Sequence, residues 1–184
     1  MLRRRLLLLL AAAPAGCASP NPTLYVLAPL PGTATPGGPT KVELRAIGLA
    51  RYLERPQIVR SSEGYRLDVL SNEWWGEPLG ALLNRVLVQE LNQRLPGSTV
   101  VPDNGSIALR DAATVAVNIQ RLDTDTTGAV VLIAQAEVRG RTPLTRNVEM
   151  TVSPTAPGTA GLVAAMSQAI ARLADTIAEM LRTV

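Results

Sequence analysis

Apolar and polar residues alternate along several stretches of this chain and recur at three- and four-residue spacing along two others. Alternation places every second side chain on one face of a half-buried strand, whereas the longer spacing draws one apolar stripe along a helix. Thr23–Leu27 has the β-branched and aromatic content of a strand. Lys41–Ile47 alternates, with Val42 and Leu44 on one side. Gln57–Arg60 and Tyr65–Val69 flank Ser61-Ser62-Glu63-Gly64 and predict a hairpin, in which Gly64 takes a positive φ at little cost. Thr99–Val101 predicts a short strand. Val115, Val117 and Ile119 alternate with polar or small residues, and Val130–Val138 continues as the hairpin partner across a turn at Asp123–Gly128. A shorter strand is expected over Thr145–Val152.

Two helices complete the pattern. Leu79, Leu82, Leu83, Val86, Leu87, Leu91 and Leu95 share one face; Pro78 suits the first turn and Pro96-Gly97 stops the helix. From Thr159 to Arg182, Leu162, Met166, Ile170, Leu173, Ile177 and Leu181 line a second amphipathic helix, too polar on its other face to span a membrane. Pro29–Thr40, rich in Pro, Gly and Thr, predicts a flexible loop, and Gly48–Pro56 a break between strands. The expected fold is α/β of the α+β kind: a mixed β-sheet packed by two main amphipathic helices. One domain is expected, over residues 23–184.

The N-terminus follows a different logic. Arg3, Arg4 and Arg5 precede eight apolar residues, Leu6–Ala13. That run is far below the roughly 20 residues a spanning helix needs, so it reads as the core of an export signal. Pro14-Ala15-Gly16-Cys17 ends it with small residues leading into the only cysteine of the chain. Ala15, Gly16 and Cys17 match the lipobox at which bacterial lipoproteins are cut and acylated; Pro14 stands where that pattern usually has Leu. Residues 1–16 are therefore expected to form a signal peptide, and 17–22 a tether lipidated at Cys17. Several acyl chains hold a protein stably, where one alone, at about 0.8 kcal/mol per buried CH₂, holds it marginally. Ala18 and Ser19 follow Cys17; without Asp at the first position, the expected site is the outer membrane, facing the periplasm, rather than the inner membrane.

Removing the leader changes the charge. The chain has 18 basic and 15 acidic residues, and three of the basic ones lie in the leader, so the body is neutral. A nucleic-acid partner loses its footing. The absence of histidine excludes a Ser-His-Asp triad and HExxH metal sites. No cofactor or metal is expected; Asp123 and Asp125 open like a calcium loop, but Ala134 occupies the twelfth position, so they read as turn residues. Lys41, the sole lysine, leaves a Ser–Lys hydrolase formally open. The candidate contact residues, for lipid or partner, are Trp74 and Trp75 before the first helix and Arg51, Tyr52 and Leu53 in the break. At least one indole is expected in the core of a chain with no phenylalanine.

Several of these features occur in a recognisable order. The lipobox is followed by Tyr25-Val26-Leu27, then an alternating strand. Next come Tyr52-Leu53-Glu54-Arg55-Pro56-Gln57-Ile58-Val59, Tyr65, and Trp75-Gly76-Glu77-Pro78-Leu79 at the helix start. This resembles the ABC-type transport auxiliary lipoproteins, the PqiC-like family of intermembrane transport lipoproteins. The resemblance implies an α/β domain similar to the periplasmic N-terminal domain of TolB, without enzyme activity. It also implies a place beside an ABC transporter that works through an MCE-domain protein, moving lipid or another hydrophobic molecule across the periplasm. It supplies no catalytic residues and leaves a homo-oligomer open. The alternatives are a stand-alone lipid-binding lipoprotein, which requires a deep apolar pocket, and an envelope-assembly scaffolding lipoprotein.

Overall fold

The computed structural model describes residues 21–184. Cys17 and the leader lie outside the described residues. Nine strands and two long helices follow in the order β1 (Thr23–Tyr25), β2 (Lys41–Leu44), β3 (Gly48–Leu49), β4 (Gln57–Ser61), β5 (Asp68–Trp75), α1 (Leu79–Arg94), β6 (Thr99–Pro102), β7 (Ala113–Thr124), β8 (Val130–Arg139), β9 (Leu144–Val152) and α2 (Gly158–Leu181). A 3₁₀ turn, Arg51–Leu53, precedes β4. The mixed sheet with two helices is the architecture expected from the hydrophobic pattern.

All nine strands join one sheet, and β7 is its hub. One edge of β7 pairs antiparallel with β8, which pairs in turn with β9. The other edge is shared in succession by three parallel partners: β2 at Ala113–Val115, β3 at Asn118–Ile119 and β4 at Thr124. β6 lies parallel beyond β2. Beyond β4 come antiparallel β5 and then parallel β1 at the margin. Only a 12-residue strand offers enough edge for three short partners.

Burial follows the alternation. Val115, Ile119, Val130, Leu132, Ala136 and Val138 are buried, whereas Gln135 and Arg139 on the opposite face are exposed. All the apolar positions expected to line α1 and α2 are buried. α2 also buries Ala165, Ala169, Ala174 and Ala178, small side chains that allow close approach of neighbouring backbone. Covering one face of the sheet with helices leaves the other for solvent or partners.

Three local readings are corrected. Pro29–Thr40 is not a free loop but a strap fixed to both helices. Leu30 N–H donates to Glu90 Oε1 at 2.8 Å, Thr35 N–H to the Arg94 carbonyl at 3.0 Å, and Ala28 N–H to Ser167 Oγ at 3.2 Å. Composition announces turns and prolines; it is silent about anchors more than 50 residues away in sequence. The second hairpin strand begins at Asp68 and runs on through Trp75, because a bulge interrupts the alternation between Val69 and Trp74. β7 extends to Thr124, and the turn that follows is closed by Asp125, whose Oδ1 accepts from Thr127 N–H at 2.8 Å and Ala129 N–H at 3.1 Å. Gly128, at φ 84°, completes that turn. Asp125 is thus a turn residue, as expected.

Candidate functional site

The five candidate contact residues separate. Trp75 is 6 % exposed and Leu53 3 %, so both belong to the core, out of a partner's reach in this fold. Tyr52 is half-buried and committed to an internal bond, donating from Oη to Asp123 Oδ2 at 2.8 Å. Arg51 is exposed, and Trp74 is half-exposed with its indole N–H donating to the Ser71 carbonyl at 2.9 Å. The structure does not gather the five into one patch. It places Trp74 beside two residues that sequence reasoning left out. Leu24 of β1 is the parallel partner of Trp74 and is 62 % exposed, and Val26 is 56 % exposed. Their alternation with Tyr25 and Leu27, which face inward, was the available signal. The outer flank at the β1 margin is therefore apolar.

Two polar clusters stabilise the interior. In the first, a bulge between Ile119 and Arg121 sets Leu122 on the helix-covered face opposite Leu132, with Arg121 and Asp123 on the other. Asp123, fully buried, accepts from Tyr52 Oη through one oxygen and from Arg121 Nε at 2.9 Å through the other. Arg121 also donates to Glu63 Oε1 at 2.7 Å. Burial, followed by the bond to Asp123 and its charge, pushes the Tyr52 hydroxyl up to about 12. Tyr52 therefore stays protonated and donating, as a pin between the 3₁₀ turn and β7.

The second cluster lies between the helices. Arg94, with 2 % of its side chain exposed, donates from Nε to Asp175 Oδ1 at 2.6 Å and from Nη2 to the Ala171 carbonyl at 3.1 Å. Glu90, one turn before it on α1, is fully buried; Oε2 has no hydrogen-bond partner among the described residues. Burial pushes Glu90 up to about 7, against the lowering effects of the Leu30 N–H and the Arg94 charge. Glu90 and Arg94 sit four apart among Leu83, Leu87 and Leu91, a spacing that places charge on the apolar stripe and was readable beforehand.

Neither cluster resembles a reactive centre. Apart from Glu90 Oε2, the polar atoms described are engaged with one another and with backbone. Lys41 donates to the Arg110 carbonyl at 3.3 Å, and no serine hydroxyl is among its hydrogen-bond partners in the described residues. Among the described residues no group of three or more Cys, Asp or Glu is placed to hold a metal ion, and no helix is long and apolar enough to cross a membrane. The clefts described range from ≈ 280 to ≈ 510 Å³ and lie at the surface, over a core filled by side chains.

Residues 25–178 match the family model of the ABC-type transport auxiliary lipoprotein component. The chain belongs to that family. The match covers both helices but for the last turn of α2, and all the strands from β2 onward. The family is one of lipoproteins, so membrane association and a transport-related role come with membership. A crystal structure of an uncharacterized protein superposes with a TM-score of 0.74 at 21 % identity, covering 88 % of this chain and 99 % of that one. Protein XCC0632 from Xanthomonas campestris, a DUF330 structure, has a TM-score of 0.67 at 18 % identity, covering 86 % and 95 %. These likenesses establish the fold. No curated protein matches the chain.

Proposed function

We propose that this protein is a non-enzymatic lipoprotein subunit of an MCE/ABC-type transport system. It is anchored by acylated Cys17 at the periplasmic face of the outer membrane. There it receives the periplasmic end of an MCE-domain protein that carries lipid or another hydrophobic molecule. The family match over residues 25–178 carries the reading. The leader ending at Cys17 supports the anchor. The surface clefts and the filled core favour an adaptor over a stand-alone lipid carrier, which would bury most of its ligand. The flank of Leu24, Val26 and Trp74 is the surface we assign to the partner, with exposed Arg51 as a further contact. It combines a sheet margin unpaired among the described residues with an aromatic anchor of the kind enriched at interface hot spots.

Affinity isolation of the protein from detergent-solubilised envelope tests the assignment. An MCE-domain protein should co-purify, and Leu24→Ser combined with Trp74→Ser should reduce its recovery. Intact native complexes that yield no MCE protein would count against the reading.

A further inference from the structure

The β4–β5 turn holds an aromatic side chain where the fold gains nothing from it. Glu63 and Arg66 close the turn, Arg66 N–H donating to the Glu63 carbonyl at 3.2 Å, with Gly64 at φ 62° and Tyr65 at φ 63° between them. Two successive left-handed residues suit Asn or Gly, and a tyrosine there is strained. Tyr65 is also wholly exposed, and Leu67 beside it is 39 % exposed. A bulky residue kept in a costly conformation without packing points to a task outside the fold.

The strand pairing says which end of the molecule this is. β1 is parallel to β5, with Thr23 opposite Glu73. The chain before Thr23 therefore enters the sheet from the end where β5 begins, the end that bears Tyr65. From Cys17 to Thr23 the chain reaches at most ~21 Å. The stretch of β5 from Glu73 back to Asp68 spans roughly 16 Å. A tether from Cys17 is thus long enough for this end of the sheet, with the Tyr65 turn, to meet the bilayer that holds the anchor. The β7–β8 turn and the β9–α2 loop share this end, as the pairings of Ser61 with Thr124 and of Val130 with Val152 require. Between them lies a cleft of ≈ 300 Å³ floored by Leu70 and Leu162 and rimmed by Pro154 and Pro157. Nearby acids are engaged, Glu63 by Arg121 and Asp68 by Arg60, while exposed Arg66 has no ion-pair partner among the described residues. A tyrosine, a leucine and an arginine on one turn suit the headgroup layer of an anionic membrane.

We propose that Tyr65 and Leu67 dip into the headgroup region of the bilayer that holds the Cys17 acyl chains, so that the domain stands end-on. The Leu24–Trp74 flank is then held off the membrane, free for a partner. The proposal rests on the lipoprotein reading.

The test uses the full-length processed protein in vesicles of phosphatidylethanolamine and phosphatidylglycerol with brominated acyl chains. Tyr65→Trp should add emission that is blue-shifted and roughly halved by the brominated lipid. Wild-type emission, from Trp74 and Trp75, should change little. Leu67→Asp in the Tyr65→Trp background should relieve the quenching while the protein stays vesicle-bound. Unquenched added emission from vesicle-bound protein overturns the proposal. So does quenching of the wild-type indoles, which would lay the β1 flank on the bilayer. Mass spectrometry of the N-terminal peptide separates the two claims. With acyl groups on Cys17 the optical result bears on docking alone; their absence overturns the lipoprotein reading, and the docking proposal with it.

Discussion

Arg94 on α1 and Asp175 on α2 meet at 2.6 Å, and the same guanidinium reaches the strap through the Leu30 carbonyl at 3.4 Å. One side chain thus fastens three segments far apart in sequence. Gly32 leaves room for it, since a Cβ there would collide with the Arg94 guanidinium. Replacing Arg94 by Met should cost about 1–3 kcal/mol, because it removes the donor to the buried Ala171 carbonyl and the cation beside buried Glu90. Asp175→Asn should cost about 1 kcal/mol or less, because Asp175 is 56 % exposed and water can replace it. Urea denaturation of the two variants checks the contrast.

Glu90 gives stability an unusual pH dependence. Its folded pKa of about 7 lies above the ordinary 4.5, so between these values the folded state binds more protons than the unfolded state. Stability from this group therefore falls as pH rises from 4.5 to 7 and levels off above. Asp125 and Glu137, whose pKa values are lowered chiefly by bonds from Thr127 and Arg139, act in the opposite sense and at lower pH. Glu90→Gln should flatten the melting temperature between pH 5 and 7.5 relative to wild type, within about the scatter of repeated melts. A slope retained in the variant would assign it to another group.

The adjacent tryptophans should respond differently to truncation. Trp75→Ala empties a core site and should cost about 3–5 kcal/mol. Trp74→Ala removes a half-exposed ring and one bond to the Ser71 carbonyl, and should cost about 1 kcal/mol. Equal melting temperatures for both would contradict the assignment of Trp75 alone to the core.

Tyr65→Asn keeps the left-handed turn and lowers its strain. It should stabilise the isolated domain by about 1 kcal/mol while weakening contact with vesicles. A gain in melting temperature with no loss at the membrane would leave the tyrosine without its outside role.

Cys17→Ser should leave the precursor uncleaved or mislocalised. Fractionation of the envelope and the mass of the wild-type N-terminal peptide check this. A mature form that starts elsewhere and carries no lipid would defeat the anchor.

Alternation and three-to-four spacing suffice for β7, β8 and both helices because those elements bury one face each, and one-sided burial writes a period into the chain. That at least one indole lies in the core was legible from composition, since a chain without phenylalanine has few large rings for its interior; that it is Trp75 and not Trp74 was decided by the fold. The strap was not legible. Its order comes from Glu90, Arg94 and Ser167, and no local pattern in Pro29–Thr40 records partners on two distant helices. Nor was the grouping of Leu24 with Trp74, or the separation of Trp74 from Tyr52 and Leu53.

By itself the sequence determined the balance of charge beyond residue 16, the absence of histidine chemistry and the α+β class, since each follows from residue type and local period. The tertiary structure alone decided that β7 serves three partners along one edge and that β1 runs parallel to β5. It thereby decided that the chain before Thr23 enters the sheet at the end that bears Tyr65. Strand order and direction depend on long-range pairing, in which backbone groups are the partners, and backbone groups are the same at every position of a sequence.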